Sequence, residues 1–398
     1  MKQASVGFSI FIILVIGVLS QISTDLYTPS LPAIAHGLNV DVNLAQMSVS
    51  LFILSQAFTQ LFYGPLSEGV GRRITLLFGI AIAGVGSLLC LFAKNIDMLL
   101  LGRVIQGAGA GACTALFRSI ARDRFSGEQL SGAMAIASNF VVLSIVAAPF
   151  VGGIIQQFLD WRAVFFILTL YTVFTWCVVK FLYKETSQHH HKDRLKLNFI
   201  LQTYRSLFGN RHFIAYSLCV FLTMGGMISW IVSGPVVLIK LVGISPAEFG
   251  TLTVFIGAMM LLANFINVRI IKKIGMKNTI YMGLSIMLIS GLLMMGLKFI
   301  FPIGIMVVFI PALVFVFGAT FIWPNTFALA FGPLGEIAGY AGSVYGFIQV
   351  LGGAVFGMVI SHISEQSQLP VAWMFVASAV GGLLVIRLMT SEPAICRG

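Results

Sequence analysis

Long apolar stretches alternate with short polar breaks along almost the whole chain. Runs of about 20 residues, each enough to cross ~30 Å of hydrocarbon, recur at 8–24, 44–65, 74–93, 97–117, 130–156 and 161–182. They resume at 213–240, 247–271, 278–298, 302–331, 337–363 and 370–389. Between the two sets lies a different segment, residues 183–212 (YKETSQHHHKDRLKLNFILQTYRSLFGNRH), which is long, polar and basic. The pattern predicts an all-α membrane protein of twelve transmembrane helices in two six-helix bundles, 1–182 and 213–398, joined by the linker 183–212. An amphipathic piece of the linker, Leu195 to Leu207, is expected on the membrane surface. The first apolar run, Phe8 to Ser23, follows a short basic start. It lacks a small-residue cleavage site and enters a proline-rich turn after Asp25, so it reads as a retained helix.

Composition agrees with lipid as the main solvent. The chain is 58% hydrophobic and 9% charged, against about 25% charged in soluble domains. The net charge of +11 could suggest nucleic acid, but its placement argues against that partner. Lysines and arginines gather on alternate loops, the two tails and the linker; the exceptions are Lys94, Arg162, Lys240, Lys298 and Arg103. This is the positive-inside bias, and it predicts a multi-pass protein of the bacterial inner membrane with both termini cytoplasmic. The cysteines, Cys90, Cys113, Cys177, Cys219 and Cys396, are scattered without metal-ligand or disulfide spacing. The His189-His190-His191 run has no acidic or cysteine partner nearby and reads as a solvated loop tract. No metal, cofactor or catalytic set is expected.

Two loops carry a faint internal symmetry. Gly64-Pro-Leu-Ser-Glu-Gly-Val-Gly-Arg-Arg73 follows the second span, and Asn267-Val-Arg-Ile-Ile-Lys-Lys-Ile-Gly-Met-Lys277 follows the eighth. Each ends in a glycine suited to a tight turn, followed by cations. Six spans plus six, with this echo, suggest two parallel repeats around a site at the midplane.

The first of these loops resembles the signature loop of the Major Facilitator Superfamily, G-x-L-x-D-R-x-G-R-K/R, with Glu68 for the usual Asp and Gly69 for the usual Arg. The resemblance implies a gating loop of Gly64, Glu68, Gly71, Arg72 and Arg73 whose charges bridge helices and hold the outward-facing state; Gly69 removes one member of that network. Arg103-Val-Ile-Gln106-Gly107-Ala-Gly109 is similar to the family's fourth-span motif, R-x-x-Q-G-x-G. Ala148-Pro149-Phe-Val-Gly152-Gly153 is similar to the fifth-span motif of proton-driven exporters, G-P-x-x-G-G, with Ala148 for the first glycine. Three further segments narrow the resemblance to Bcr/CflA-type drug/proton antiporters: Thr24-Asp25-Leu-Tyr27-Thr-Pro29-Ser-Leu-Pro32, Ser233-Gly234-Pro235 through Phe249-Gly250, and Gly339 through Gln349 with Gly352-Gly353-Ala354.

The residues also carry a physical reading of their own. An ionisable group at membrane depth costs roughly 3 kcal/mol or more, which makes it a functional candidate. Asp25 and Arg103 stand out. Asp25 suits a group that loads and releases a proton; its other reading is a cap for the turn before Pro29. Arg103 keeps its charge, biasing a neighbour's proton affinity or simply holding backbone carbonyls. Gln106 shares its helix face and could relay between them. Gly102, Gly107, Gly109 and Gly111 permit close packing, while Pro149 with Gly152 and Gly153 reads as a hinge or as static packing.

Tyr27, Met47, Phe58, Met224, Met227, Trp230, Phe327 and Tyr345, with Gln349, are the candidates for an adaptable apolar substrate cavity. The expected function is proton-coupled export of small amphiphilic compounds by a single chain, with substrate, protons and the bilayer as partners. A dedicated carrier of a polar metabolite, such as a siderophore or amino-acid derivative, is the alternative; an intramembrane enzyme lacks its constellation.

Overall fold

The computed structural model describes residues 6–125, 127–186, 197–331, 338–363 and 367–390. His189 to His191, Glu336 and Cys396 lie outside them, as does part of the linker.

Helix α1 (Val6–Asp25) is apolar through most of its length, turns polar in its last two turns, and ends where Pro29 enters a single 3-10 turn, Thr28–Ser30. A short α2 (Leu31–Gly37) follows, and Asn39, the only non-glycine described with positive φ, turns the chain back into α3 (Val42–Val70). Helix α4 (Arg72–Leu91) returns, and α5 (Ile96–Arg124) starts at Asn95, whose side chain accepts the Met98 N–H at 2.9 Å. Helices α6 (Gly127–Phe158) and α7 (Trp161–Cys177, continued as a π turn to Leu182) complete the first set. Pro149 sits inside α6 and the helix runs through it.

Helix α8 (Leu197–Gly209) is the amphipathic piece of the linker. The second set begins with α9 (Arg211–Pro235, continued to Val242) and α10 (Pro246–Ile300). Helix α10 opens on a reciprocal cap: Ser245 Oγ accepts the Glu248 N–H, and the Glu248 carboxylate accepts the Ser245 N–H. It is 55 residues long but is broken at Gly275 (φ 78°, ψ 165°), so it makes two crossings. Then come α11 (Ile305–Thr320), α12 (Ile322–Phe331), α13 (Ala338–Ser361) and α14 (Leu369–Met389).

Among the described residues, eleven helical segments are long and apolar enough to span a membrane. One of these already joins α11 with α12, and the break at Gly275 divides α10 in two, giving twelve crossings, six on each side of the linker. Gly71 (φ 105°, ψ 150°) and Gly275 adopt nearly the same backbone conformation, a region almost reserved for glycine. The two echoing loops therefore turn in the same way. Large apolar side chains face outward, Phe158 at 78% and Phe299 at 82% exposure; lipid is the solvent that suits them.

Small residues set how tightly the helices meet. A Cβ on Gly109 would lie 2.2 Å from the Ala83 nitrogen of α4, and one on Gly107 would lie 2.2 Å from the Phe52 carbonyl of α3. One face of α5 thus presses on α4 and another on α3. Two long pairings join the sets of six: α13 along α3, and α10 along α6. Both termini of the described chain and α8 share one end of the molecule, called the linker side below; α2 and the start of α10 mark the distal side.

Candidate functional site

Three places along the bundle axis draw together the sequence candidates. The first is a cage around Arg103, which is fully buried. Its Nη1 donates to the Ser23 carbonyl at 2.9 Å and to Gln106 Oε1. Its guanidinium lies 4.2 Å from the Tyr27 ring centroid and 4.2 Å from that of Phe52, so two aromatic faces replace water around the cation. Gln106 passes the network on to Ser87 Oγ on α4 at 2.8 Å. Tyr27 OH meets Ser48 Oγ at 3.0 Å.

The second place is a crevice of about 30 Å³ on the distal side, where α1, α6, α9 and α10 converge on Asp25, Pro149, Met227, Trp230 and Phe249. Asp25 is 2% exposed. Its Oδ2 accepts from Gln21 Nε2 at 2.5 Å, one turn back on α1, while Oδ1 has no hydrogen-bond partner among the described residues. Backbone contact closes this end. A Cβ on Gly152 would come within 1.8 Å of the Leu26 carbonyl, and one on Gly153 within 2.3 Å of the Pro246 carbonyl. Gly250 in turn lies against the Pro149 carbonyl. Gln46 Nε2 on α3 reaches the Val232 carbonyl on α9 at 3.3 Å.

The third place is a cavity of about 440 Å³ towards the linker side, between α3, α5, α12 and α13. Its neutral polar lining comes from Gln60, Thr114, Ser119, Ser343 and Gln349, and its rings from Phe327, Phe331 and Tyr340. Three arginines, Arg72, Arg118 and Arg122, and one acid, Glu68, complete the charged lining. The Tyr340 hydroxyl reaches Glu68 across the two sets of helices at 3.5 Å.

Beside the cavity the gating-loop residues form a clasp. Arg72 Nε pairs with Asp123 Oδ2 at 3.2 Å, and its Nη1 donates to Ser67 Oγ at 2.5 Å. The Glu185 carboxylate accepts the backbone N–H of Arg72 at 3.1 Å and of Arg73 at 2.9 Å, a natural anion position at the start of α4. Arg73 Nη2 donates to the Lys180 carbonyl. Arg72 and Arg73 therefore hold their own set of helices; Glu68, and Gly64 packed on Ser343, face the other. Burial among these groups pushes the Tyr183 phenol upward in pKa, so its hydroxyl stays protonated beside Thr186 Oγ1 at 2.6 Å.

A model of the Major Facilitator Superfamily matches residues 13–360. The chain belongs to that superfamily. Among curated Major Facilitator relatives it is 27% identical to the bicyclomycin resistance protein homolog of Haemophilus influenzae, over 97% of this chain and 98% of that one. It is 25% identical to multidrug resistance protein D of Escherichia coli, over 92% and 91%. A partially occluded inward-open structure of the Escherichia coli xylose transporter XylE superposes with a TM-score of 0.74 at 14% identity, covering 98% and 99%, which speaks for the fold alone. The resemblance to Bcr/CflA-type proteins thus extends along the chain, and the family is one of transporters rather than enzymes.

Within this superfamily fold the sequence candidates separate. Asp25 meets neither Arg103 nor Gln106, and Gln106 turns to Ser87, away from Asp25. Of the cavity candidates, Phe327 and Gln349 line the linker-side cavity, while Met227 and Trp230 line the Asp25 crevice. Tyr27 belongs to the Arg103 cage, and Tyr345 backs Phe327 and Phe331 with its hydroxyl on Thr326 at 2.9 Å. Phe58 contacts Phe347, ring to ring at 5.5 Å; Met47 and Met224 are half-buried and line neither space. Sequence reasoning missed Arg118, Arg122, Asp123 and Glu185. The usable signal was acid in basic surroundings: Asp123 between two arginines, and Glu185 after Lys184.

Proposed function

We propose that this protein is a proton-coupled exporter of small amphiphilic compounds that works by alternating access. The observation that carries the reading is an asymmetry along the bundle axis: a roomy cavity on the linker side opposes a distal end shut by backbone contact, and Asp25 lies inside that closure. The bundles 1–182 and 213–398 rock about the α3–α13 and α6–α10 pairings, with 183–212 as the tether. In the state described, substrate enters from the linker side, taken as cytoplasmic with both termini there, in the bacterial inner membrane. In the opposite state the distal closure parts, and Asp25 meets water and takes a proton as substrate leaves. Arg103 and Gln106 fix the end of α1 that presents Asp25. Gly64, Glu68, Gly71, Arg72 and Arg73 stabilise the state in which the linker side is shut, and Pro149, Gly152 and Gly153 shape the distal closure. A single chain carries the whole cycle.

The resistance functions in the names of the relatives support the exporter reading. The charged cavity wall also favours, to a lesser degree, a dedicated carrier of a polar metabolite. Efflux from vesicles with an imposed pH gradient tests the proposal. Accumulation against the substrate gradient that collapses with a protonophore is the expected result; efflux indifferent to the pH gradient would overturn it.

A further inference from the structure

We infer that the linker-side cavity is built for an amphiphilic organic anion, an apolar or aromatic body bearing one carboxylate, sulfonate or phosphate. This rests on the transporter reading and names its substrate class. The first observation is Arg118. It lies six residues before α5 ends at Arg124, ~9 Å inside the helix end at 1.5 Å per residue. The positive-inside bias accounts for cations in loops; it does not require one in the wall of a cavity. The Arg118 side chain is exposed to the cavity, has no carboxylate within ion-pair distance among the described residues, and lies 6.0 Å from the Phe327 ring of the opposite bundle. Arg122, one turn on, holds only Ser119 Oγ, at 3.3 Å, among the described residues. Like charges at that spacing repel, and an anion seated between them removes the repulsion.

Gln60 supplies an independent observation. It is 3% exposed and lines the same cavity, yet its Nε2 has no acceptor among the described residues. Gln60, Arg118 and Arg122 thus offer donors on two helices that the described residues leave largely without acceptors, the Arg122–Ser119 bond aside. A ligand that satisfies them must bring acceptor oxygens. Arg72 differs from these, being paired with Asp123, and Glu68 is engaged with Tyr340. The body of the ligand has its own wall in the stacked pair Phe327 and Phe331, centroids 4.2 Å apart. About 440 Å³ is room for a drug-sized molecule. A cationic compound would instead meet Arg118 and Arg122 face on.

The test uses three probes with one ring system and three charges: 2-naphthylacetate, 2-naphthylethanol and 2-naphthylethylamine. Equilibrium dialysis against the full chain in nanodiscs, corrected with empty nanodiscs, gives their affinities at pH 7.5. Naphthylacetate is expected to bind at least about tenfold more tightly than the amine, and to weaken as salt screens the arginines. Arg118→Gln should weaken the acetate about tenfold, the scale of one charge-assisted hydrogen bond, and leave the alcohol within about twofold. Arg118→Lys should recover much of the loss, which guards against a folding defect. Equal binding of amine and acetate, no saturable binding of acetate, or equal losses for acetate and alcohol in Arg118→Gln each overturn the inference. Proton-driven efflux of the same probes separates the two readings. Pumping without charge preference keeps the exporter and removes the anion site; Arg118-dependent binding without proton-driven flux keeps the site and removes the exporter.

Discussion

Arg103 donates to the carbonyl of Ser23 at 2.9 Å, so the buried cation grips the backbone of α1 two residues before Asp25 and leaves the carboxylate alone. The two ionisable groups that the sequence singles out are therefore connected through the helix they share. Movement of the end of α1 would alter both.

Arg103→Ala should destabilise the fold by roughly 2–4 kcal/mol, the sum of a charged hydrogen bond and a desolvated cation–π sandwich. Arg103→Lys should recover only part, because ammonium lacks the planar fork that fits between Tyr27 and Phe52. Thermal unfolding of the purified protein measures this, and an unchanged midpoint would show that the cage contributes nothing to stability.

Asp25→Asn should abolish accumulation while sparing downhill exchange of substrate. Asparagine keeps the size and can still meet Gln21, but takes no proton. One elementary charge crossing 100 mV is worth about 2.3 kcal/mol, enough for a gradient of roughly fiftyfold in a neutral solute. Uphill pumping by the variant at near wild-type rate would mean that another group carries the proton, with Glu68 or Glu336 next in line.

Arg72→Ala and Glu185→Gln should slow exchange between access states by about fivefold, a cost near 1 kcal/mol, with substrate affinity largely kept. Together these groups tie the α3–α4 turn to the end of α5 and to the start of the linker. Counterflow rates alongside equilibrium binding separate the two effects; equal rates in variant and wild type would remove the clasp from gating.

Gly152→Ala should hold the distal side open, since its Cβ cannot share space with the Leu26 carbonyl; overpacking of this kind costs about 1–3 kcal/mol. With Met227→Cys as reporter in a background without other cysteines, labelling from the distal side should rise several-fold. Gly132→Ala on the same helix meets nothing within 4 Å and should leave labelling unchanged.

The twelve spans were legible because a run of lipid-facing residues is long and nearly uninterrupted, and most boundaries fall within a few residues of those read from hydropathy. The turns at Gly71 and Gly275 were legible too, since glycine beside cations has few other uses there. The division of 302–331 into α11 and α12 at Phe321 was not, because both pieces are equally apolar. At the candidate site, the cost of burying charge pointed to Asp25 and Arg103. Their partners depend on side-chain rotamers and on how α1, α3 and α5 pack, which one-dimensional spacing does not contain. Arg118 and Arg122 were absorbed into a topology signal that loop cations satisfy equally well.

The distal closure is made where main chain meets main chain, through Gly152, Gly153 and Gly250, whereas the linker-side cavity is walled by side chains. Mutation therefore falls unequally on the two ends. On the proposed cycle, exchanging a ring or a cation in the wall should retune the cargo and leave closing intact, while one added methyl at the seal should disable the cycle for every cargo. A lineage built on this plan can diversify its substrates quickly so long as those few glycines stay bare.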